Sequence, residues 1–451
     1  MRDLRRRALE SHKTVSRKAR TSQQVSTASS AAGSTANSPA PSRAASRNPS
    51  RHPTDDEDDL SDGTAWSTNS IDEILNGEDV EISEEAWKAE LNVRIEQIIN
   101  LKRSSTEGRA DSLNAFAHII MARYAYEQVE EHISALLPSI LKSIRQETTE
   151  REAVKALKAL AATIVTLNSA TIYDDVTDQL KRSIQSSASV EVKVNAIHTL
   201  GIAAFFGGAG DDEILDIMAL FLEIVESDGA SVDAQDEGNV VIAALENWGL
   251  LATEMDDLEA ETETAVEAFV EQLESADAGV QIAAGENIAL LYEKSYTIRE
   301  EDEEASVDDV DPDHPEAVKD GEKMVKRYTV YRRQDQLLHT LDELAKVSTR
   351  RISKKDRKTL HSSFADIRNT VEKPTRGPGY SMAIDQETGR AYGSGRMKVR
   401  INRSVEIRID KWWKLQRLTA LRRTLQGGFT YHYDQNEVVS FAIPFSMAAR
   451  R

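Results

Sequence analysis

The chain has 451 residues, 29% of them charged, no cysteine and a formal net charge of −20. That length leaves room for more than one domain with a core of its own, while the lack of cysteine excludes disulfide scaffolds, thiolate nucleophiles and Cys-ligated metal centres. No apolar run is long enough to span a bilayer and residues 1–30 lack the hydrophobic region of a secretory signal, so a soluble protein without a membrane role is expected, cytoplasmic with a nuclear location left open.

Charge falls into three blocks. Residues 1–53 hold eleven Lys and Arg against two Asp and Glu, a net +9; residues 54–316 hold 16 against 60, a net −44; residues 317–451 hold 29 against 14, a net +15. A basic end on an acidic body suggests that the basic end binds a polyanion, or that the two parts hold each other.

Residues 1–82 form the first region, a basic and then acidic tail expected to be disordered. Residues 1–20 (MRDLRRRALESHKTVSRKAR) are basic, and Ser, Thr, Ala, Pro and scattered Arg follow to about residue 53. Too little apolar surface is present to offset the entropy of ordering. The Arg-rich, acid-poor start has the composition of a transit peptide, but no apolar helical face accompanies the arginines beyond Leu4, Ala8 and Leu9. Ser46 and Ser50 each stand three residues after an arginine, Arg43 and Arg47. That spacing suits a basophilic kinase, and phosphate there would offset local positive charge. The run DDEDDLSD at 55–62 lacks the turn glycine and closing Glu of a calcium loop, so it reads as a solvated linker.

Residues 83–298 are expected to be a helical repeat domain that starts with Ser83 as N-cap and Glu84 and Glu85 in the first turn. Ala243 to Leu251 (AALENWGLL) and Ala283 to Leu291 (AAGENIALL) agree at six of nine positions, 40 residues apart. A looser echo places Ala156 and Leu160 against Ala196 and Leu200. Apolar stripes such as Ile214, Ile217, Met218, Phe221 and Val225 keep the helical period, and no segment alternates as a strand would. Breaks at Ser186-Ser187, Gly207 to Gly210 and Ser227 to Gly229 come at helix-hairpin intervals. A step of about 40 residues is that of armadillo or HEAT arrays, whose helix pairs bury apolar faces only against neighbouring pairs. The expected fold is mainly α, a solenoid of roughly ten helices stacked as pairs.

Residues 299–321 read as an acidic linker, and 322–445 as a small basic α+β module. Residues 322–348 read as a helix through Val325, Leu337, Leu338, Leu341, Leu344 and Val347, in which the solenoid resumes. A basic cluster runs from Arg350-Arg351 through Lys354-Lys355 to Arg357-Lys358, and Pro374 to Gly395 is a loop. Alternation then appears at Met397, Val399 and Ile401 and again at Val405, Ile407 and Ile409, a hairpin. A helix from about Lys411 to Leu425 follows, with Gly427-Gly428 as its C-cap. Lys398, Arg400, Arg408, Lys414, Arg417, Arg422 and Arg423, with Tyr431 and His432 nearby, offer phosphate neutralisation and stacking of the kind RNA binding requires. The competing reading makes the aromatics core, with Trp412 or Trp413 filling the hairpin face.

The segment Leu360-His361-Ser362-Ser363-Phe364-Ala365-Asp366-Ile367-Arg368 with Val371-Glu372, followed by Gly428-Phe429-Thr430-Tyr431-His432 and Asn436-Glu437, resembles the C-terminal region of the interferon-related developmental regulator family. The helical array before it is similar to that family's armadillo-like N-terminal domain, and LRRRALESHKTVSRKA resembles the start of its fungal members. The resemblance implies a non-enzymatic regulator, tied either to ribosome binding and translational silencing or to transcriptional co-regulation through protein contacts. The long basic tail of animal members has no counterpart after Phe445, so a function that threads such a tail into an RNA channel is not expected.

Catalytic patterns are missing: no His pair at ligand spacing, no GxxxxGK, no GxSxG, and Gly389 to Gly395 does not join a strand to a helix. No cofactor, metal or small-molecule substrate is expected. The first expectation is a ribosome-associated translational repressor that docks on ribosomal RNA through the basic module, while the acidic solenoid groove takes basic proteins. The second is a nuclear co-regulator scaffold. In a third, the basic module lies on the acidic body of the same chain.

Overall fold

The computed structural model describes residues 84–100, 105–298, 324–346, 354–380, 396–402 and 405–445, all within a compact unit that runs from Val80 to Arg451. The expected tail, both acidic runs, the two kinase-type serines, Arg350-Arg351 and the Gly389 to Gly395 loop lie outside these residues, as do the side chains of 354–359.

Helices come in pairs. The first are α1 (Glu84–Ile99) with α2 (Thr106–Ala122), α3 (Tyr126–Gln146) with α4 (Glu150–Leu167), and α5 (Ile172–Ser186) with α6 (Val190–Phe206). Then come α7 (Asp211–Glu226) with α8 (Gly238–Ala252) and α9 (Glu259–Gln272) with α10 (Ala278–Lys294). Even-numbered helices pack in one continuous row; odd-numbered helices lie behind it, α1 on α3, α3 on α5 and α7 on α9, with a 3-10 turn at Ala230–Val232 packed between α5 and α7. Four of the even helices start at a side-chain cap: Ser105, Thr149, Ser189 and Asp277 accept from the backbone of Gly108, Glu152, Val192 and Gly279. Each cap satisfies an amide that the helix leaves without a partner.

The repeat step is visible as bonds between pairs. Arg109 grips Glu152 at 2.8 and 3.0 Å, Ser187 donates to Glu147 at 2.7 Å, and Asn287 donates to the Leu245 carbonyl at 2.8 Å. Small residues let the even row close up, since a Cβ at Gly201 or Gly249 would collide with Asn247 or Asn287 of the next pair. The step is not uniform. Even helices begin at 106, 150, 190, 238 and 278, and the longest interval, before α8, holds a 3-10 turn at Ala230–Val232. Lys193 pins that turn by donating to the Val232 carbonyl at 2.5 Å.

The expected helix over 322–348 is only partly present. Val325 lies in a strand, β2 (Met324–Lys326), paired antiparallel with β1 (Tyr296–Ile298), and helix α11 spans only Gln334–Lys346. Leu337 and Leu341 carry the helical stripe, whereas Val325 stands too far ahead of them and pairs with Thr297 instead. Helix α12 (Lys354–Glu372) packs on α11 and on α10, so the solenoid continues into a sixth pair.

The hairpin appears where alternation placed it, β3 (Lys398–Arg400) against β4 (Glu406–Arg408), with Val399 and Ile407 buried as a pair. Helix α13 (Trp412–Leu425) follows, then a 3-10 turn and the short helices α14 (Phe429–Gln435) and α15 (Glu437–Ala442). The residue that ends α13 in a positive-φ conformation is Gln426, at φ 50°, not a glycine. Gly428 has another role, because its backbone lies so close to the Met121 carbonyl that a Cβ would collide with it.

Candidate functional site: the basic hairpin and strap

Residues 412–442 do not stand apart as a module. They form a strap across the even row: α13 packs on α2, α4, α8 and α10, and α14 on α2. Its first turn is held by a carboxylate from another helix, because Glu293 of α10 accepts from the backbone amides of Trp412 at 2.9 Å and Trp413 at 3.2 Å. Such a carboxylate satisfies amides that a helix cannot satisfy itself and sits at the positive end of its dipole. Burial pushes the Glu293 carboxyl up, with Lys411 and the two amides acting against it. The Trp412 indole donates to Thr370 of α12 at 2.8 Å, so Trp412 fills the seam with the sixth pair.

Arg417 is clasped on every side. It donates to the Thr253 hydroxyl (2.8 Å), the Thr253 carbonyl (2.9 Å), Glu254 (3.0 Å) and the Ala442 carbonyl (3.2 Å), with the Phe205 and Trp413 rings 5.0 and 5.2 Å away. A guanidinium at the C-terminal end of α8 meets the carbonyls that end leaves open. Burial draws its pKa down and Glu254 draws it up. Arg423 pairs with Glu246 at 2.5 Å and lies 3.2 Å from Nδ1 of His198, whose pKa burial and Arg423 together hold well below the usual value. Glu286 occupies the repeat position of Glu246 one pair on, and its carboxyl is pushed up to about 8 by burial and then by the charge of Glu246.

The expected RNA-binding residues therefore divide. Lys398, Arg400 and Arg408 remain exposed on the hairpin, with Lys398 2.9 Å from Glu406. Lys414 is buried against Asp410 at 2.8 Å, and Arg417 and Arg423 are bound as described. Arg422 is half-buried, makes no ion pair among the described residues, and has its pKa lowered by burial. His432 is fully buried, with Nε2 2.8 Å from the Ile120 carbonyl, and burial lowers its pKa. Tyr431 is 38% exposed and carries the Arg123 guanidinium over its ring at 5.3 Å. The even row carries the chain's own basic helix, α13. Sequence reasoning missed Glu246, Glu286 and Glu293. Their signal was a void: residues 194–293 contain 23 Asp and Glu but no Lys or Arg, so any cation that pairs with an acid of this span, as Arg423 does with Glu246, comes from elsewhere in the chain.

Among the described residues no group of His, Asp and Glu is placed to hold a metal, and no helix is long and apolar enough to cross a membrane. The interferon-related developmental regulator family model matches residues 60–372, a stretch that ends on the last residue of α12. An uncharacterised protein of Schizosaccharomyces pombe is 25% identical over 408 residues, covering 86% of this chain and 82% of the relative. Interferon-related developmental regulator 1 of Sus scrofa is 22% identical over 374 residues, and that of Homo sapiens 21% over 375; each match covers 79% of this chain and 72% of the relative.

Proposed function

Because this chain belongs to the interferon-related developmental regulator family, we propose that it is a non-catalytic, cytoplasmic repressor of translation that docks on ribosomal RNA. The observation that carries this reading is the hairpin. Its Lys398, Arg400 and Arg408 are exposed while other cations of the region are spent inside the fold. Affinity then comes from neutralised phosphates and falls steeply with salt, with a log–log slope of about 0.7 to 0.9 for each phosphate neutralised. The test is sedimentation of extract through sucrose gradients at low and high salt. The protein should travel with ribosomal particles at low salt and leave them at high salt, and the variant K398E/R400E/R408E should stay at the top in both. Wild-type protein at the top under both conditions would refute ribosome docking.

A second reading, a nuclear co-regulator scaffold, draws on the odd row. Asp211, Asp212 and Glu259 are exposed there within a span that itself has no Lys or Arg, so a basic protein would meet mainly opposite charge, with Arg332 beside Glu263 the cation to avoid. Partner binding through that row should survive reversal of the hairpin charges.

A further inference from the structure

The strap ends beside a cavity of about 520 Å³ between the start of α1, the turn from α2 to α3, and α14. Trp87, Tyr124, Tyr126 and Tyr431 line it together with two cations, Lys88 and Arg123, and two carboxylates, Glu84 and Glu127. Four aromatic rings at one opening are unusual in a chain that is 6% aromatic. Two of them already carry a cation of the same chain: Lys88 lies 5.6 Å from the Trp87 ring and Arg123 5.3 Å from that of Tyr431. Lys88 is paired with Glu84 at 2.6 Å, whereas Arg123 has no ion pair among the described residues. Tyr124 and Tyr126 stand 6.4 Å apart, and the Tyr126 hydroxyl is engaged by Glu130 at 2.8 Å, so these rings offer surface more than hydrogen bonds.

We propose that this cavity binds a nucleotide of single-stranded RNA, its base stacked on the aromatic rings and its phosphate on Arg123. Every base has a face that stacks on an aromatic ring, and an arginine alongside supplies the charge a phosphate requires. The Gln128 amide at the same cavity can bond a base edge. A cationic ligand would have to displace Lys88 and Arg123 from the ring faces they already occupy, with Glu127 as the carboxylate left to receive it, since Glu84 is held by Lys88. A neutral proline-rich peptide could accept hydrogen bonds from Arg123 but would leave its charge unmatched. Tyr431 and Gln435 belong to the strap, so the cavity is complete only while the strap is seated. This site is separate from the hairpin and stands or falls independently of ribosome docking.

The experiment is fluorescence anisotropy of the full chain against a labelled single-stranded RNA pentamer. Three variants accompany the wild type: Arg123→Glu, Tyr431→Ala and K398E/R400E/R408E. The expected result is saturable binding that Arg123→Glu and Tyr431→Ala each weaken about tenfold or more, both alone and when combined with K398E/R400E/R408E, which removes whatever the hairpin itself contributes. The Arg123 variant should also lower the salt slope by about 0.7. Because Tyr431 is exposed, its truncation should leave the melting temperature unchanged, which separates loss of binding from loss of fold. Binding that both cavity variants retain and only the hairpin variant loses would overturn the proposal, as would no binding at all. Capture of a proline-rich peptide with the same affinity in wild type and Arg123→Glu would also overturn it.

Discussion

Truncating Arg417 to alanine tests the strap at its most tightly held point. The guanidinium makes four hydrogen bonds, two to the backbone carbonyls of Thr253 and Ala442, one to a hydroxyl, and one to Glu254, which is 45% exposed. A bond from the charged guanidinium to a neutral acceptor is worth at least about 1 kcal/mol net, and the exposed ion pair adds no more than about 1 kcal/mol. Two ring contacts add about 0.5 to 1 kcal/mol each, so the gross loss is about 5 kcal/mol. Water entering at the Glu254 side and relief from burying a charge return part of that, leaving a net cost of about 2 to 3 kcal/mol. The strap should open locally before the solenoid unfolds, since terminal elements exchange through smaller openings than the core. Hydrogen exchange is the assay: amides of α13 to α15 should exchange about 30 to 150 times faster in the variant, with those of α4 and α6 unchanged. Arg417→Met keeps much of the packing without the bonds and should fall between. Equal protection of α13 in wild type and Arg417→Ala would show that the four bonds do not hold the strap, and the reasoning would fail.

Two further outcomes follow from the same geometry. Gly428→Val places side-chain atoms against the Met121 carbonyl and should cost about 1 to 3 kcal/mol as overpacking does, read as a lower urea midpoint, while Gly427→Ala beside it, where a Cβ meets nothing within 4 Å, should be nearly neutral. Glu286 keeps its proton in the fold to about 8 against an ordinary 4.5. Between those values the folded chain binds more protons than the unfolded one, so stability should fall as pH rises from about 4.5 to about 8; Glu286→Gln should flatten that decline in urea titrations at pH 6 and 9, and an unaltered slope would rule the residue out as its source.

The repeat was readable because it rests on local terms. Small residues at fixed steps, the apolar stripe of α7 and the alternation of Val399 with Lys398 and Arg400 each report a face within one element. The strap was not readable, because α13 has no single buried face. Trp412, Lys414, Gln416, Leu418 and Ala420 are all buried, so no stripe separates inside from outside. A lysine or arginine enters an interior only when a partner waits there, and Arg417 and Arg423 meet theirs 163 and 177 positions away, at Glu254 and Glu246. His432 and Ile120, 312 positions apart, make the same point for the neutral end of the strap. Val325 failed for a simpler reason: one apolar residue ahead of a helical stripe fits a strand equally well.

A stacked array is mechanically a spring, since each pair touches only its neighbours and small rotations between pairs add up along its length. Here the last pair is tied to the first: Trp412 is bonded to α12, and sixteen positions later Gly428 lies against the end of α2. The strap thus acts as a bowstring. Tension or bending applied anywhere along the six pairs is shared by the tie, and the terminal pairs, which would otherwise fray first, come undone only together with it.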